Sequence, residues 1–359
     1  MDPEKKNIKS LSKKELEEYL RELGEPKYRR KQIFTWLFQK MAYDFNEFTD
    51  LPKALRQRLA SDFYIGRLEV KHRAVSSDGT VKFLLKLEDG LEVETVLIPD
   101  GKRRTVCVSS QVGCALGCTF CATGTLGFKR NLATWEIVEQ VLIARRYLRD
   151  IGEERDVTNV VFMGMGEPLL NLDAVLQAIH ILNHDRGPNI GARKITVSTL
   201  GILEGIYRLA DSPIQFKLAL SLHSAIQEKR EKIMPLAKCV SLKNLKKAIA
   251  YFYLKKRRWV TLEYIHLPGY NDTEEDIQAL VAFIGTLPVK INVIPYNPYP
   301  GGPFRSPTPE EFEDFIRRLR RLPWTVTPRK PRGRDIFGAC GQLFLHVNRA
   351  EPVKGVQTR

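Results

Sequence analysis

The sequence predicts an α/β protein: a parallel sheet covered by helices, preceded by a helical segment and β-hairpins. Three observations carry this. Beyond residue 104, short β-rich runs alternate with helical runs in six pairs, and alternating βα units imply a parallel sheet. The runs VVFM (160–163), KLALSL (217–222) and INVIPY (291–296) are nearly continuous apolar stretches, as expected of strands buried on both faces. Before residue 104 the pattern is different: helical periodicity first, then strict alternation broken by Asp-Gly pairs.

The elements follow in order. Ser12 and Glu15 form a capping box ahead of Leu16, Leu20 and Leu23, which marks a first helix. A second helix follows Pro26, with Ile33, Trp36 and Leu37 on one face and Arg29, Arg30 and Lys31 near its start. A third runs through Leu51 to Leu59, so residues 1–65 read as a helical accessory domain. Segments 67–75, 80–88 and 91–98 alternate, and Asp78-Gly79 and Asp89-Gly90 between them suit tight hairpins; residues 66–98 therefore read as a β-hairpin extension. The core, 99–343, carries strands expected at 105–110, 157–163, 193–199, 214–222, 259–266 and 290–296. Helices are expected near 134–149, 171–184, 202–210, 241–256, 273–286 and 308–321. The last has a capping box of Thr308 and Glu311 with Pro309 at the first helical position. The tail, 344–359, carries no readable motif. Six units fall short of the eight of a closed barrel, so an incomplete barrel and a doubly wound sheet both fit. Either places a site at the C-terminal ends of the strands. There the chain has Gly164-Met165-Gly166-Glu167, Ser198-Thr199, Ser221-Leu222-His223, His266 and Asn297.

Length and composition narrow the class. A chain of 359 residues suggests about two domains, and 43% hydrophobic with 28% charged residues is ordinary for a soluble globular protein. No apolar run approaches the roughly 18 residues of a membrane span, and the N-terminus, MDPEKKNIKS, lacks the apolar stretch of a secretory signal. A cytoplasmic protein is expected. Lys and Arg exceed Asp and Glu by 57 to 42, a net charge of +15, which favours polyanionic partners, nucleic acid first. Residues 315–334 hold eight basic residues and no acid: Arg317, Arg318, Arg320, Arg321, Arg329, Lys330, Arg332 and Arg334. A second acid-free stretch runs from Lys243 to Arg258, joined by Tyr251, Tyr253 and Trp259, and most of it reads as a solvated helix face.

Six cysteines are present, and three lie close together as Cys114-x3-Cys118-x2-Cys121, in the loop after the first strand of the βα region. Clustered thiolates favour iron–sulfur clusters or zinc. A [4Fe–4S] cluster takes four ligands, so three cysteines leave one iron open to a substrate or cofactor. Structural zinc takes four ligands in paired knuckles, and Cys107 lies inside a strand without that spacing. Pro168 and the absence of a third glycine after Gly166 argue against a dinucleotide-binding turn, and with it an ordinary Rossmann methyltransferase.

The three-cysteine loop, with Phe120 before its last cysteine, resembles the radical S-adenosylmethionine (SAM) superfamily, and Gly166-Glu167 resembles that superfamily's motif for the methionine amino group. The resemblance implies an incomplete (βα)6 barrel. It also implies a [4Fe–4S] cluster held by Cys114, Cys118 and Cys121, whose open iron chelates SAM. The run Cys107-Val-Ser-Ser-Gln-Val-Gly-Cys114, Lys129-Arg130-Asn131-Leu132, Gly164-Met-Gly-Glu-Pro168 and Gly338-Ala-Cys340-Gly-Gln342 further resemble the RlmN family over nearly the whole chain. That resemblance implies methylation of carbon 2 of adenine 2503 in 23S ribosomal RNA; some members also modify adenine 37 of tRNAs. It implies that Cys340 accepts a methyl group, that Cys107 resolves the protein–RNA adduct by forming a disulfide, and that Glu94 removes the ring proton. Two SAM molecules are consumed per turnover. Gly166, Glu167, Ser198, Ser221, Leu222, His223 and Asn297 are expected in the SAM pocket. A flavodoxin or ferredoxin type electron donor and a monomer are expected. The related Cfr reaction at carbon 8 uses the same cysteines, and a non-catalytic zinc RNA-binding protein is the alternative of another class.

Overall fold

The structure is a computed structural model and describes residues 5–344. The first unit holds α1 (Lys13–Glu22), α2 (Tyr28–Phe34) and α3 (Lys53–Asp62), tied by a short parallel pair of β1 (Lys6–Asn7) and β2 (Phe63–Tyr64). The Ser12–Glu15 capping box that opens α1 is present. This unit is pinned to the rest through a sealed ion pair: Lys9 Nζ lies 2.7 Å from Glu139, whose other oxygen accepts from the Tyr43 hydroxyl at 2.9 Å and pairs with Arg146.

An antiparallel meander of β3 (Glu69–Val75), β4 (Val81–Lys86) and β5 (Glu92–Asp100) follows, turning at the two Asp-Gly sites. It is continuous with the barrel, because β5 pairs antiparallel with β6 (Arg103–Cys107). After a ribbon of β7 (Gln111–Gly113) and β8 (Phe128–Asn131), the chain enters α4 (Thr134–Asp150). Then come β9 (Asn159–Phe162), α5 (Leu172–Asn183), β10 (Ile195–Thr199), α6 (Leu203–Asp211), β11 (Lys217–Ser221), α7 (Gln227–Ile233) and α8 (Leu242–Lys256). The series ends with β12 (Val260–His266), α9 (Glu274–Ile284), β13 (Val289–Pro295), α10 (Pro309–Leu319) and β14 (Val326–Pro328).

Ten strands form one sheet in the order β14-β13-β12-β11-β10-β9-β6-β5-β4-β3, with every pair from β6 to β14 parallel. The parallel strands lie in chain order with no reversal. A doubly wound sheet reverses at its switch point, so this is the incomplete barrel, an α/β fold of six βα units. The seventh parallel strand, β14, was not expected from the sequence: three residues ending in Pro328 carry almost no strand signal. The main apolar core runs from Ile8 in the first unit to Leu343, and a second, smaller cluster gathers around Cys118, Phe120, Ile233 and Met234. The capping box of Thr308 and Glu311 is formed at α10, worth about 1 kcal/mol. Beyond Phe344 the expected tail lies outside the described residues, as do residues 1–4.

Candidate active site

The C-terminal ends of the parallel strands open onto one cavity. Cys114, Cys118 and Cys121 line it together with Gly166, Glu167, Ser198, Ser221 and His223. A second cleft adjoins it, and Met163, Ile294 and Cys340 border both. Cys107, Asn297, Arg329, Lys330 and Arg332 line the second cleft. Residues from six separate strand ends and the C-terminal segment thus meet in two connected spaces.

The cysteine loop takes its shape from glycine. Gly113 and Gly117 have φ of +73° and +59°, a region where L side chains are strained. A Cβ on Gly124 would stand 3.0 Å from the Cys118 carbonyl oxygen. The Lys129–Leu132 run braces the loop from outside: Arg130 reaches Glu136 and Asp89, and Asn131 accepts from the Gln111 amide at 2.8 Å. Burial first, then neighbouring charge, pushes the Cys114 thiol up to about 11 and raises Cys118 and Cys121 as well. Three such thiols become thiolates together only when a metal centre supplies positive charge. Among the described residues no three His, Cys, Asp or Glu side chains gather as a single ion would need. Three cysteines lining a shared cavity, with the buried and unpartnered Nη1 of Arg230 on the helix that packs against Cys118, fit a polynuclear centre that keeps a net negative charge.

The rest of the cavity lining suits a cationic amino group. Glu167 is buried, and its two oxygens accept from the Leu169 and Leu200 amides at 3.0 and 2.8 Å. Burial raises its carboxyl to about 7 against those hydrogen bonds, which an approaching ammonium would reverse. His223 sits at φ +57°, and its Nδ1 accepts from the Ile265 amide at 3.1 Å. Nε2 therefore carries the proton of the neutral ring. Burial and Arg230 hold the ring neutral, near 3. Sequence reasoning missed Glu263, whose buried Oε2 has no hydrogen-bond partner and which lines the same cavity. The signal was available: one acid inside the apolar strand VTLEYI (260–265).

Other expected residues are placed differently. Leu222 is buried and binds the Glu263 carbonyl through its amide, without lining the cavity. Asn297 belongs to the second cleft, donating to the Cys340 carbonyl at 3.2 Å and accepting from Arg334 at 2.6 Å. Glu94 is fully buried, 2.8 Å from Lys82 Nζ, and accepts from the Phe344 amide; it borders neither space. Cys107 ends β6, opposite Val96 on one side and Val161 on the other. Its thiol is pushed up to about 12, by burial first and then by Cys340. Cys239 is exposed and away from both spaces.

Gly166 is required on two counts. Its φ is +93°, and a Cβ there would lie 2.5 Å from the Gln111 Cβ. Gly166→Ala is expected to lose roughly 1–3 kcal/mol of stability and to weaken SAM binding at least tenfold. Thermal unfolding and calorimetric titration check both.

Comparison with known proteins agrees with this architecture. Residues 108–284 match the Radical SAM superfamily, and residues 6–65 match the ribosomal RNA large subunit methyltransferase N-terminal domain. A crystal structure of a radical SAM methyltransferase from Sphaerobacter thermophilus superposes with a TM-score of 0.89 at 42% identity, covering 95% of this chain and 99% of that one. Fold and site together define a radical SAM methyltransferase. The probable dual-specificity RNA methyltransferase RlmN of Flavobacterium psychrophilum is 43% identical over 343 residues, 96% of this chain and 99% of that protein. The dual-specificity RNA methyltransferase RlmN of Geobacter sulfurreducens is 46% identical over 346 residues, 96% of this chain and 94% of that one. The chain belongs to the RlmN family.

Proposed function

We propose that this protein methylates carbon 2 of adenine 2503 in 23S ribosomal RNA, and adenine 37 of tRNAs, through a methyl group carried on Cys340. The observation that supports this most directly is the position of Cys340 on the border between the cysteine-lined cavity and the basic cleft that also holds Cys107. A carbon next to two ring nitrogens has no lone pair to attack a sulfonium methyl, so a protein nucleophile and a radical are both needed. Cys114, Cys118 and Cys121 would hold the [4Fe–4S] cluster, which would supply the electron for reductive cleavage of SAM to a 5′-deoxyadenosyl radical.

The chain's own residues do the rest. The Cys340 thiolate attacks the methyl carbon of a first SAM, so that its S–C bond forms as the sulfonium C–S bond breaks and S-adenosylhomocysteine leaves, and it holds the methyl facing the cavity that would receive a second SAM. Glu167 and the Nε2–H of His223 orient SAM. After the methylene carbon joins the base, the adduct gives up one electron, which returns to the cluster site, and the ring proton. Cys107 then attacks the Cys340 sulfur; the S–S bond forms, the carbon–sulfur bond breaks with its electron pair passing to the carbon, that carbon takes a proton, and methyladenine leaves. For Glu94 to take the ring proton, as the resemblance implies, it would have to leave Lys82 and enter the second cleft, which it does not border here. Lys330 is exposed in the second cleft and Arg332 pairs with Asp100; with the exposed Arg320 and Arg321 they neutralise phosphate, so affinity falls with salt. The target base leaves its stack to reach Cys340. The enzyme acts as a cytoplasmic monomer with a flavodoxin or ferredoxin type donor. No described helix is long and apolar enough to cross a membrane.

The test is mass spectrometry of nucleosides from 23S RNA treated with protein, dithionite and SAM. The expected product co-migrates with 2-methyladenosine. 8-Methyladenosine would assign the Cfr reaction instead, and no methylated adenosine would overturn the proposal.

A further inference from the structure

Arg230, on α7, is wholly buried. Its Nη2 donates to the Leu200 carbonyl at 2.6 Å and its Nε to the Leu222 carbonyl at 3.3 Å. Its Nη1 is sealed from solvent with no hydrogen-bond partner, and no carboxylate pairs with it among the described residues. A guanidinium stripped of water and left unpaired is costly, so the sequence must offer it a counter-charge. No carboxylate supplies it among the described residues. Burial lowers Arg230 to about 10, and the one charge that opposes this is Cys118.

The geometry explains why. Helix α7 packs against the cysteine loop: the Thr119 amide donates to the Ile233 carbonyl at 3.0 Å, and Cys118 is buried against Ile233 and Met234. Arg230 does not line the SAM cavity. It reaches the site from the helix that packs on the cysteine loop, one turn before Ile233 and Met234. The other titratable ring nearby, His223, is neutral. Two fixed carbonyls hold the guanidinium in place, and its third nitrogen is left over.

We propose that Arg230 is a positioning residue for electron transfer, whose fixed positive charge near Cys118 favours the reduced state of the iron–sulfur cluster and thereby sets its reduction potential. The inference rests on cluster binding by the cysteine loop and is independent of which RNA carbon is methylated. One-electron reduction adds one negative charge beside Arg230, the electron coming from an external reductant such as dithionite. Opposite charges attract more strongly in a low-dielectric interior, so the reduced form gains more from the guanidinium than the oxidised form. A purely structural staple for Leu200 and Leu222 would need donors but no charge.

The experiment compares full-length wild type, Arg230→Lys, Arg230→Gln and Arg230→Met. Each is reconstituted anaerobically with iron and sulfide, then titrated potentiometrically with the reduced cluster read by electron paramagnetic resonance. Gln keeps a donor without charge, and Lys keeps charge with different geometry. In the Gln and Met variants the reduction equilibrium is expected to fall at least tenfold, about 59 mV for one electron, with Lys within threefold of wild type. Iron uptake by Lys but by neither neutral variant would also support a role for charge. Equal potentials in all four, or loss of iron in all three variants, would reduce Arg230 to a loop staple and overturn the proposal. A wild type that takes up no iron would instead defeat the cluster reading itself.

Discussion

Cys107→Ala will leave the protein covalently joined to its RNA. In the proposed sequence the carbon bridging Cys340 and the adenine is released only when a second thiol attacks the Cys340 sulfur. Cys107 is the cysteine that shares the second cleft with Cys340, and Cys239 is exposed and elsewhere. The methyl transfer to Cys340 and the radical step do not use Cys107, so the reaction should run once and stop. Steady-state turnover is expected to fall on the order of a thousandfold. One adduct per protein should appear on denaturing gels and carry a nucleotide mass on the Cys340 peptide after nuclease digestion. Cys340→Ala should be equally inactive with no adduct. If Cys107→Ala turned over without an adduct, Cys107 would be a core residue and another group would resolve the bridge.

Replacing any one of Cys114, Cys118 or Cys121 by alanine will remove the iron and with it SAM cleavage. The remaining cysteines are poor substitutes: Cys107 is at the second cleft, and Cys340, which borders both spaces, carries the methyl in the proposed sequence. Iron content should drop below one per chain, and 5′-deoxyadenosine formation should fall on the order of a thousandfold or more. The fold should survive, because the barrel core does not depend on the loop: Cys118 belongs to a small separate apolar cluster with Phe120, Ile233 and Met234. Circular dichroism with iron analysis separates these effects. Iron retained at wild-type levels by all three variants would sink the assignment.

Much of this was legible because its causes are local. The capping boxes at Ser12 and Thr308 and the Asp-Gly turns act within four residues, so they mark helices and hairpins directly. The buried runs 217–222 and 291–296 carried the parallel sheet because strands covered on both faces leave no polar alternation. The cysteine spacing carried the loop, since three thiols within eight residues have few other uses. What escaped depends on tertiary pairing. β14 exists because β13 offers it a parallel edge, and nothing in Val326–Pro328 says so. The shared cleft of Cys107 and Cys340 follows from how the C-terminal segment is led back across the strand ends. Arg230 looks like one more charge in the helix QEKREKI; only packing reveals that it is the one turned inward. Glu94 shows the opposite limit. The resemblance assigned it a role, while the fold gives it Lys82 as a close partner.

The segment that bears Cys340 is held from two sides. The Gly341 and Leu343 carbonyls accept from the Ala122 amide and the Thr123 hydroxyl, directly after the last cluster cysteine, at 2.7 and 2.8 Å. On the far side Asp335 accepts from Ser76 and Ser77, and the Gly333 amide donates to Asp78, at the first hairpin turn. Cys340 is therefore moored to the three-cysteine loop itself. If the proposed reaction holds, assembly acquires an order: whatever sets the loop around its cluster also sets the berth of the methyl carrier, so loading the metal and aiming the thiol become one event.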